Sequence, residues 1–258
     1  MKILTLDIET APTRAYVWAK WKQNVHSSQV ITEGFVLSWS AKWLDKKKTV
    51  TKALPDYPGY HDNTEDDSLL VAEMWELLDE ADAVIGYNVK EFDLKVLNSR
   101  FMKYGMQPPS NYHVIDLFKV VKGTTRNFSN RLDDVAQSWG IGMKLPNEGF
   151  ELWDKCVRGD MKSWDKMKKY NAQDVAVTEK LYYRLRPWIR NHPNWGLYVD
   201  SDRPVCPNCG GTTLHKHSTR FDTTKTQKYE RYRCKDCGKV SKGRKTQVTK
   251  EERENILG

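Results

Sequence analysis

The sequence predicts an α/β layered domain with a mixed sheet, followed by a small module too short to build a hydrophobic core of its own. Three observations predict this. The chain opens on strand-like segments and then alternates helix with strand. A stretch carrying Pro193, Gly196 and Pro204 among charged residues interrupts the periodic pattern. Four of the five cysteines crowd into the last quarter. A length of 258 residues suffices for one substantial core and an appendage. We expect a domain over residues 1–189, a linker over 190–204 and a cysteine module over 205–258.

Each element follows from pattern. Lys2-Ile3-Leu4-Thr5-Leu6-Asp7-Ile8-Glu9 reads as a buried strand, and residues 34–40 and 48–51 read as further strands of the same sheet. Leu69, Leu70, Met74 and Leu77 give helical spacing over 66–79; a short strand at 83–86 and a second helix at 92–104 follow. After the breaker Gln107-Pro108-Pro109-Ser110 come a last strand at 113–117, a helix at 129–139 stopped near Gly140, and the longest helix at 161–185, ended by Pro187. The tryptophans, Trp18, Trp21, Trp39 and Trp43 among them, are expected mostly in the core. Trp18 and Trp21, with Tyr16, Lys20 and Lys22, have strand contact as a second reading.

Charge divides the chain. Residues 201–258 hold 14 of the 42 Lys and Arg but 7 of the 34 Asp and Glu, so nearly all of the net +8 lies in the tail. No run approaches the length of a membrane span, and the opening lacks the layout of a secretion signal. A cytoplasmic, reducing setting without membrane contact is expected, in which paired cysteines suggest metal rather than disulfides.

Four acidic residues carry the functional reading. Asp7 and Glu9 are two apart on a strand and point to one face. An acidic pair ending a buried strand needs compensation, which a divalent metal supplies; the bland alternative is a strand end facing solvent. Trp164, Met167, Tyr170, Asp174, Val177 and Leu181 share one helix face, so Asp174 interrupts an apolar stripe. Asp93 sits where the strand at 83–86 breaks into a helix, and taken alone is an ordinary helix-start acid.

Asp7-Ile8-Glu9-Thr10, then Asn88 with Phe92-Asp93, then Tyr170-Asn171-Ala172-Gln173-Asp174 resemble, in order, the three motifs of the DEDD exonuclease superfamily in its tyrosine subtype. Leu132-Asp133-Asp134-Val135-Ala136 through Gly140-Ile141-Gly142-Met143-Lys144 is similar to the proofreading domains of family B DNA polymerases. The style of the opening segment looks like phage-encoded exonucleases. The resemblance implies a ribonuclease H-like mixed five-stranded sheet flanked by helices. It also implies metal-dependent 3′–5′ exonuclease activity with two Mg²⁺ or Mn²⁺ ions. By the same resemblance, Asp7, Glu9 and Asp174 hold the metal that activates water, and Asp7 with Asp93 holds the metal at the leaving group. Tyr170 orients the water, and Thr10, Asn88 and Phe92 grip the terminal nucleotide. Single-stranded DNA is the favoured substrate, with replication or repair proteins as partners, in the cytoplasm of a bacterial host if the chain is phage-encoded. Two readings stay open: a weakly active nucleic-acid-binding or recruitment module, and an RNA-directed exoribonuclease.

Cys206-Pro207-Asn208-Cys209 and Cys234-Lys235-Asp236-Cys237 form two CxxC knuckles with 24 residues between them, each followed by glycine. The arrangement resembles a zinc ribbon with one structural Zn²⁺. Lys228, Tyr229, Arg231, Tyr232 and Arg233 interleave aromatics with cations, and Lys239, Lys242, Arg244 and Lys245 continue the run. Tyr229, Arg231 and Arg233 are the candidate nucleic-acid contacts, against a plain solvated face. Cys156 reads as a packing thiol.

Overall fold

The computed structural model describes residues 1–142 and 148–257, so Met143 and Lys144 of the polymerase-like stretch lie outside the described residues. By contact the chain divides into two compact units, residues 2–181 and 182–258, the latter including Met1.

The first unit is built on β1 (Ile3–Thr10). It is antiparallel to β4 (Val36–Trp43) along its length and parallel to β6 (Ala83–Gly86) from Ile3 to Thr5, so over that first half its backbone groups are satisfied on both edges. Ahead of β4, the short strands β2 (Arg14–Ala15) and β3 (Val30–Thr32) form a separate antiparallel arm. β5 (Val50–Ala53) and β7 (His113–Asp116) complete the mixed five-stranded sheet that the resemblance implies, and the structure sets its order as β5-β4-β1-β6-β7.

Alternation sets the two faces of β1. Leu4, Leu6 and Ile8 join a core with Leu70, Val71, Met74 and Leu78 of α1 (Ser68–Glu80) and Leu94, Leu97 and Phe101 of α2 (Asp93–Lys103). The opposite face is polar and small, with Thr5 on β1 and Ser38 and Ser40 on β4, all fully buried. There Lys42 of β4 pairs with Glu179 of the longest helix, α6 (Met161–Leu185).

One buried ion pair locks the helices to the sheet. Asp67, fully buried, accepts the Val36 N–H at 2.8 Å, the Arg100 Nε–H at 3.1 Å and the Tyr104 hydroxyl at 2.5 Å. Asp67→Ala would strand the buried Arg100 guanidinium and orphan a strand amide. The expected cost is about 3–5 kcal/mol, to be read as a lowered denaturant midpoint at unchanged slope.

The structure adds what the pattern does not give. α3 (Leu117–Thr124) follows β7 without a loop, because the Asp116 carboxylate accepts the N–H groups of Phe118 at 3.1 Å and Lys119 at 3.4 Å and caps the helix directly. With no turn residues between, the β-branched run reads as strand. α4 (Leu132–Ser138) starts later than expected, after Asn127 and Asn130 bond to each other in the preceding loop. α5 (Phe150–Val157) buries only Leu152 and Cys156, a single pair four apart and too short a stripe for a periodicity argument. Trp39 is in the core, but Trp18 and Trp21 are 96% and 76% exposed, which corrects the core expectation for both.

In the second unit, β8 (Leu214–Thr223), β9 (Lys228–Cys234) and β10 (Val240–Thr246) form an antiparallel sheet in the order β10-β9-β8, followed in sequence by a short α7 (Lys250–Glu254). Both knuckles make the same turn, Gly210 N–H to the Cys206 carbonyl at 2.8 Å and Gly238 N–H to the Cys234 carbonyl at 3.0 Å. Gly210 and Gly238 sit at φ of 71° and 81°, which glycine adopts without strain. The module is compatible with a zinc ribbon. Within the second unit, Arg186 and Asn208 exchange two hydrogen bonds of 2.8 Å, and the Lys239 ammonium donates to the Ile189 carbonyl at 2.6 Å. Among the described residues no helix is long and apolar enough to cross a membrane.

Candidate active site

The site begins where the central strands part. β6 pairs with β1 only as far as Thr5, and beyond Gly86 the chain turns away. A Cβ on Gly86 would lie 2.5 Å from the Val89 Cβ and 3.2 Å from the Leu6 carbonyl, so this close turn requires glycine. Asn88 follows at φ 64°, a left-handed conformation that asparagine tolerates, and its N–H donates to Asp116 at 3.0 Å. Splitting at the carboxyl ends of neighbouring strands is where open α/β sheets place ligands.

Asp7 and Glu9 sit at this end of β1, and α6 delivers Asp174 against them. Their carboxylate oxygens lie within 4.8 Å of one another. Asp174 is 2% exposed on the buried face of α6, together with Trp164, Met167, Val177 and Leu181. The fourth acid, Asp93, stands beside this triplet. Its Oδ1 accepts the N–H of Ile8 at 3.0 Å, on the backbone between Asp7 and Glu9. Burial pushes the Asp93 carboxyl up to about 7, the Ile8 hydrogen bond opposes this, and the Asp116 charge adds to it. Tyr170, one turn before Asp174 and half-buried, sets its ring edge-on to Trp153 at 5.7 Å.

Asp7 and Asn88 also line a cleft of about 640 Å³ with Tyr87, Phe118, Asn130 and Arg131. Leu132, Asp133 and Asp134 of the polymerase-like stretch complete it. Phe92, the residue before α2, is 43% exposed; Thr10 is half-buried at a register shift where β1 ends.

With that geometry in place, a family model described as RNase_H superfamily (RNase_H_2) matches residues 33–186. The chain belongs to the RNase H superfamily. No curated protein matches it. The matched span runs from before β4 through α6 and contains Asp93, Tyr170 and Asp174; β1 with Asp7 and Glu9 lies before it. Membership suggests a nuclease-type hydrolase acting on nucleic acid with divalent metal, and the acidic triplet could bind such an ion.

Two residues of this RNase H-superfamily chain have roles at the site that the sequence pattern does not assign. Asn171, fully buried, donates from Nδ2 to Asp7 Oδ2 at 2.6 Å and to the Asp7 carbonyl at 3.2 Å, while its Oδ1 accepts from Ser38 at 3.5 Å. Its signal was an amide on a buried helix face three residues before Asp174. Asp116 accepts from the backbone of Asn88, Lys90 and Phe118 and so fixes the turn that presents Asp93. A strand-end Asp is too common to be noticed alone.

The second cluster is Cys206, Cys209, Cys234 and Cys237, whose sulfurs lie within 4.8 Å of one another. Alternation along β9 puts Tyr229, Arg231 and Arg233 on the face away from Cys234. Arg233 is exposed, Arg231 is ion-paired with Asp222 at 2.8 Å, and the Lys242 ammonium lies 4.7 Å over the Tyr229 ring. The cationic interleaving is therefore present, with Arg231 already engaged.

Proposed function

We propose that the chain is a metal-dependent 3′–5′ exonuclease of the DEDD type, acting on single-stranded nucleic acid, with DNA favoured. The observation that carries this is the convergence of Asp7, Glu9 and Asp174, with Asp93 held on the backbone between the first two. Three hard carboxylate donors within 4.8 Å fit a Mg²⁺ or Mn²⁺ site. In this reading Asp7, Glu9 and Asp174 hold one ion and Asp7 with Asp93 the other. When bound, the ions lower the pKa of attacking water and stabilise charge on the attacking and leaving oxygens. A cation beside Asp93 would also reverse the upward shift that burial imposes.

The remaining work falls to the chain. Asn171, through its bond to Asp7 Oδ2, fixes the orientation of that carboxylate before an ion arrives. Tyr170, one turn from Asp174, orients the attacking water through its hydroxyl. The cleft along Asn88 receives the terminal nucleotide, with Thr10 and Phe92 at its approaches. Asn171→Ala should raise the metal concentration needed for half-maximal activity about 10- to 100-fold while the fold persists, as a metal titration of the initial rate would record.

In the second unit we propose that the four thiolates hold a structural Zn²⁺. Zn–S bonds of about 2.3 Å in a tetrahedron separate sulfurs by about 3.8 Å. The Cys206–Cys237 and Cys209–Cys234 sulfurs are 3.6 Å apart, which fits. A complete thiolate set leaves no position for catalysis, so the ribbon would assist nucleic-acid binding through Arg233, Tyr229 and Arg231.

The test is degradation of matched 3′-labelled and 5′-labelled single strands of DNA and RNA, with and without Mg²⁺ or Mn²⁺. Expected is metal-dependent release of mononucleotides from the 3′ end, faster on DNA. Internal cuts, or no turnover with any metal, would refute the exonuclease reading; faster loss of RNA would replace the substrate.

A further inference from the structure

The arm between β1 and β4 is not used by the chemistry above, yet it is the most unusual surface of the first unit. Its base is closed. Ala11 N–H donates to the Phe35 carbonyl at 2.8 Å, Tyr16 N–H to the Gln29 carbonyl at 2.9 Å, and the Gln29 side chain returns a bond to the Tyr16 carbonyl at 2.9 Å. Arg14 is tied to Thr32 at 2.8 Å and ion-paired with Glu65. Beyond this closure Tyr16, Trp18 and Trp21 are 75%, 96% and 76% exposed. Large aromatic surface left in water on a closed arm marks a contact site rather than a packing failure.

Charge says what kind of contact. From Thr10 to Thr32 there is no Asp or Glu, although acids make up 34 of the 258 residues. Lys20 and Lys22 flank Trp21 in sequence, and the Lys20 ammonium lies 5.4 Å from the Trp21 ring centroid. Flat rings alternating with cations match a strand that offers base faces and phosphates together. An apolar protein partner would gain nothing from an acid-free surface. The arm also leaves β1 directly after Glu9, so Trp18 is tethered within about 30 Å of the acids.

We propose that this arm is a second strand-binding site, in which Trp18 and Trp21 stack on bases of a single-stranded nucleic acid and Lys20 and Lys22 meet its phosphates, several nucleotides away from the end held at Asp7, Glu9 and Asp174. The placement of that end rests on the exonuclease reading; the binding itself does not.

The test separates the two. Binding of a fluorescein-labelled single strand with hydrolysis-resistant phosphorothioate linkages is followed by anisotropy, and chemistry alone by hydrolysis of the p-nitrophenyl ester of thymidine 5′-monophosphate, too small to reach the arm. In the full chain, Trp18→Ala/Trp21→Ala should weaken strand binding on the order of 10- to 100-fold, with ester hydrolysis and thermal midpoint unchanged. Trp18→Phe/Trp21→Phe should restore most of the affinity, and Lys20→Ala/Lys22→Ala should flatten the salt dependence by about 1.4 in slope. Parental affinity in the Ala pair, or an equal loss in the Phe pair, would overturn the proposal. A parent that binds strands but never hydrolyses the ester would sink the exonuclease reading and leave the arm standing.

Discussion

Asp174→Asn abolishes nucleotide release and leaves the protein at least as stable as the parent when metal is withheld. The side chains are nearly isosteric, so the buried face of α6 keeps its packing around Trp164, Met167 and Val177. What changes is charge. Three carboxylates whose oxygens lie within 4.8 Å repel one another without a cation, and neutralising one relieves that repulsion. With metal present the same change removes an anionic ligand, and the lost transition-state stabilisation of several kcal/mol corresponds to at least about a 10³-fold fall in kcat. The signature is therefore double. The thermal midpoint in chelator stays level or rises, while the upward shift that Mg²⁺ or Mn²⁺ gives the parent disappears. A purely structural Asp174 would instead lower the midpoint in chelator and leave the metal response in place.

Stripping metal from the four cysteines unfolds the ribbon and spares the domain before it. From Val205 onward, the buried residues among those described are Cys206, Asn208 and Cys234, so no apolar core exists to hold three strands together. Metal ligation of this kind supplies about 10–16 kcal/mol of folding free energy, far beyond what the exposed strand faces can offer. Burial pushes the Cys237 thiol well above its ordinary value, so metal must displace a proton there and binding weakens as pH falls. Treatment with a zinc chelator, or Cys234→Ser, should collapse the amide dispersion of β8, β9 and β10, while residues 2–181 keep their own cooperative transition. Retention of ribbon dispersion without metal would show that the cysteines are dispensable for the fold.

How far the sequence reached depended on the range of each signal. The sheet was legible because β1, β4 and β6 are buried strands whose apolar runs have one interpretation, and α6 because six stripe positions repeat across many turns. Asp174 was legible because its place on an apolar stripe contradicts its charge, and Asp7 with Glu9 because they end a buried strand; Asp93 was singled out by the resemblance alone. Short helices were not, since α3 shares Asp116 with the strand before it and α5 buries a single pair. The exposure of Trp18 and Trp21 was misjudged because indole is apolar by composition, and whether a neighbouring element covers it is decided by tertiary structure.

By itself, then, the sequence determined the layered α/β class and the two knuckles, and local periodicity set Asp7, Glu9 and Asp174 apart, while Asp93 stood out only through the resemblance to the DEDD motifs. Tertiary structure decided which acids meet: Asp7, Glu9 and Asp174 as a triplet, with Asp93 anchored through the Ile8 amide beside them. It also decided that Asn171 holds Asp7 across 164 residues of sequence. Such pairings depend on how far apart two strand ends splay and how closely a helix approaches small residues such as Ser38, and no local pattern in the chain encodes either distance.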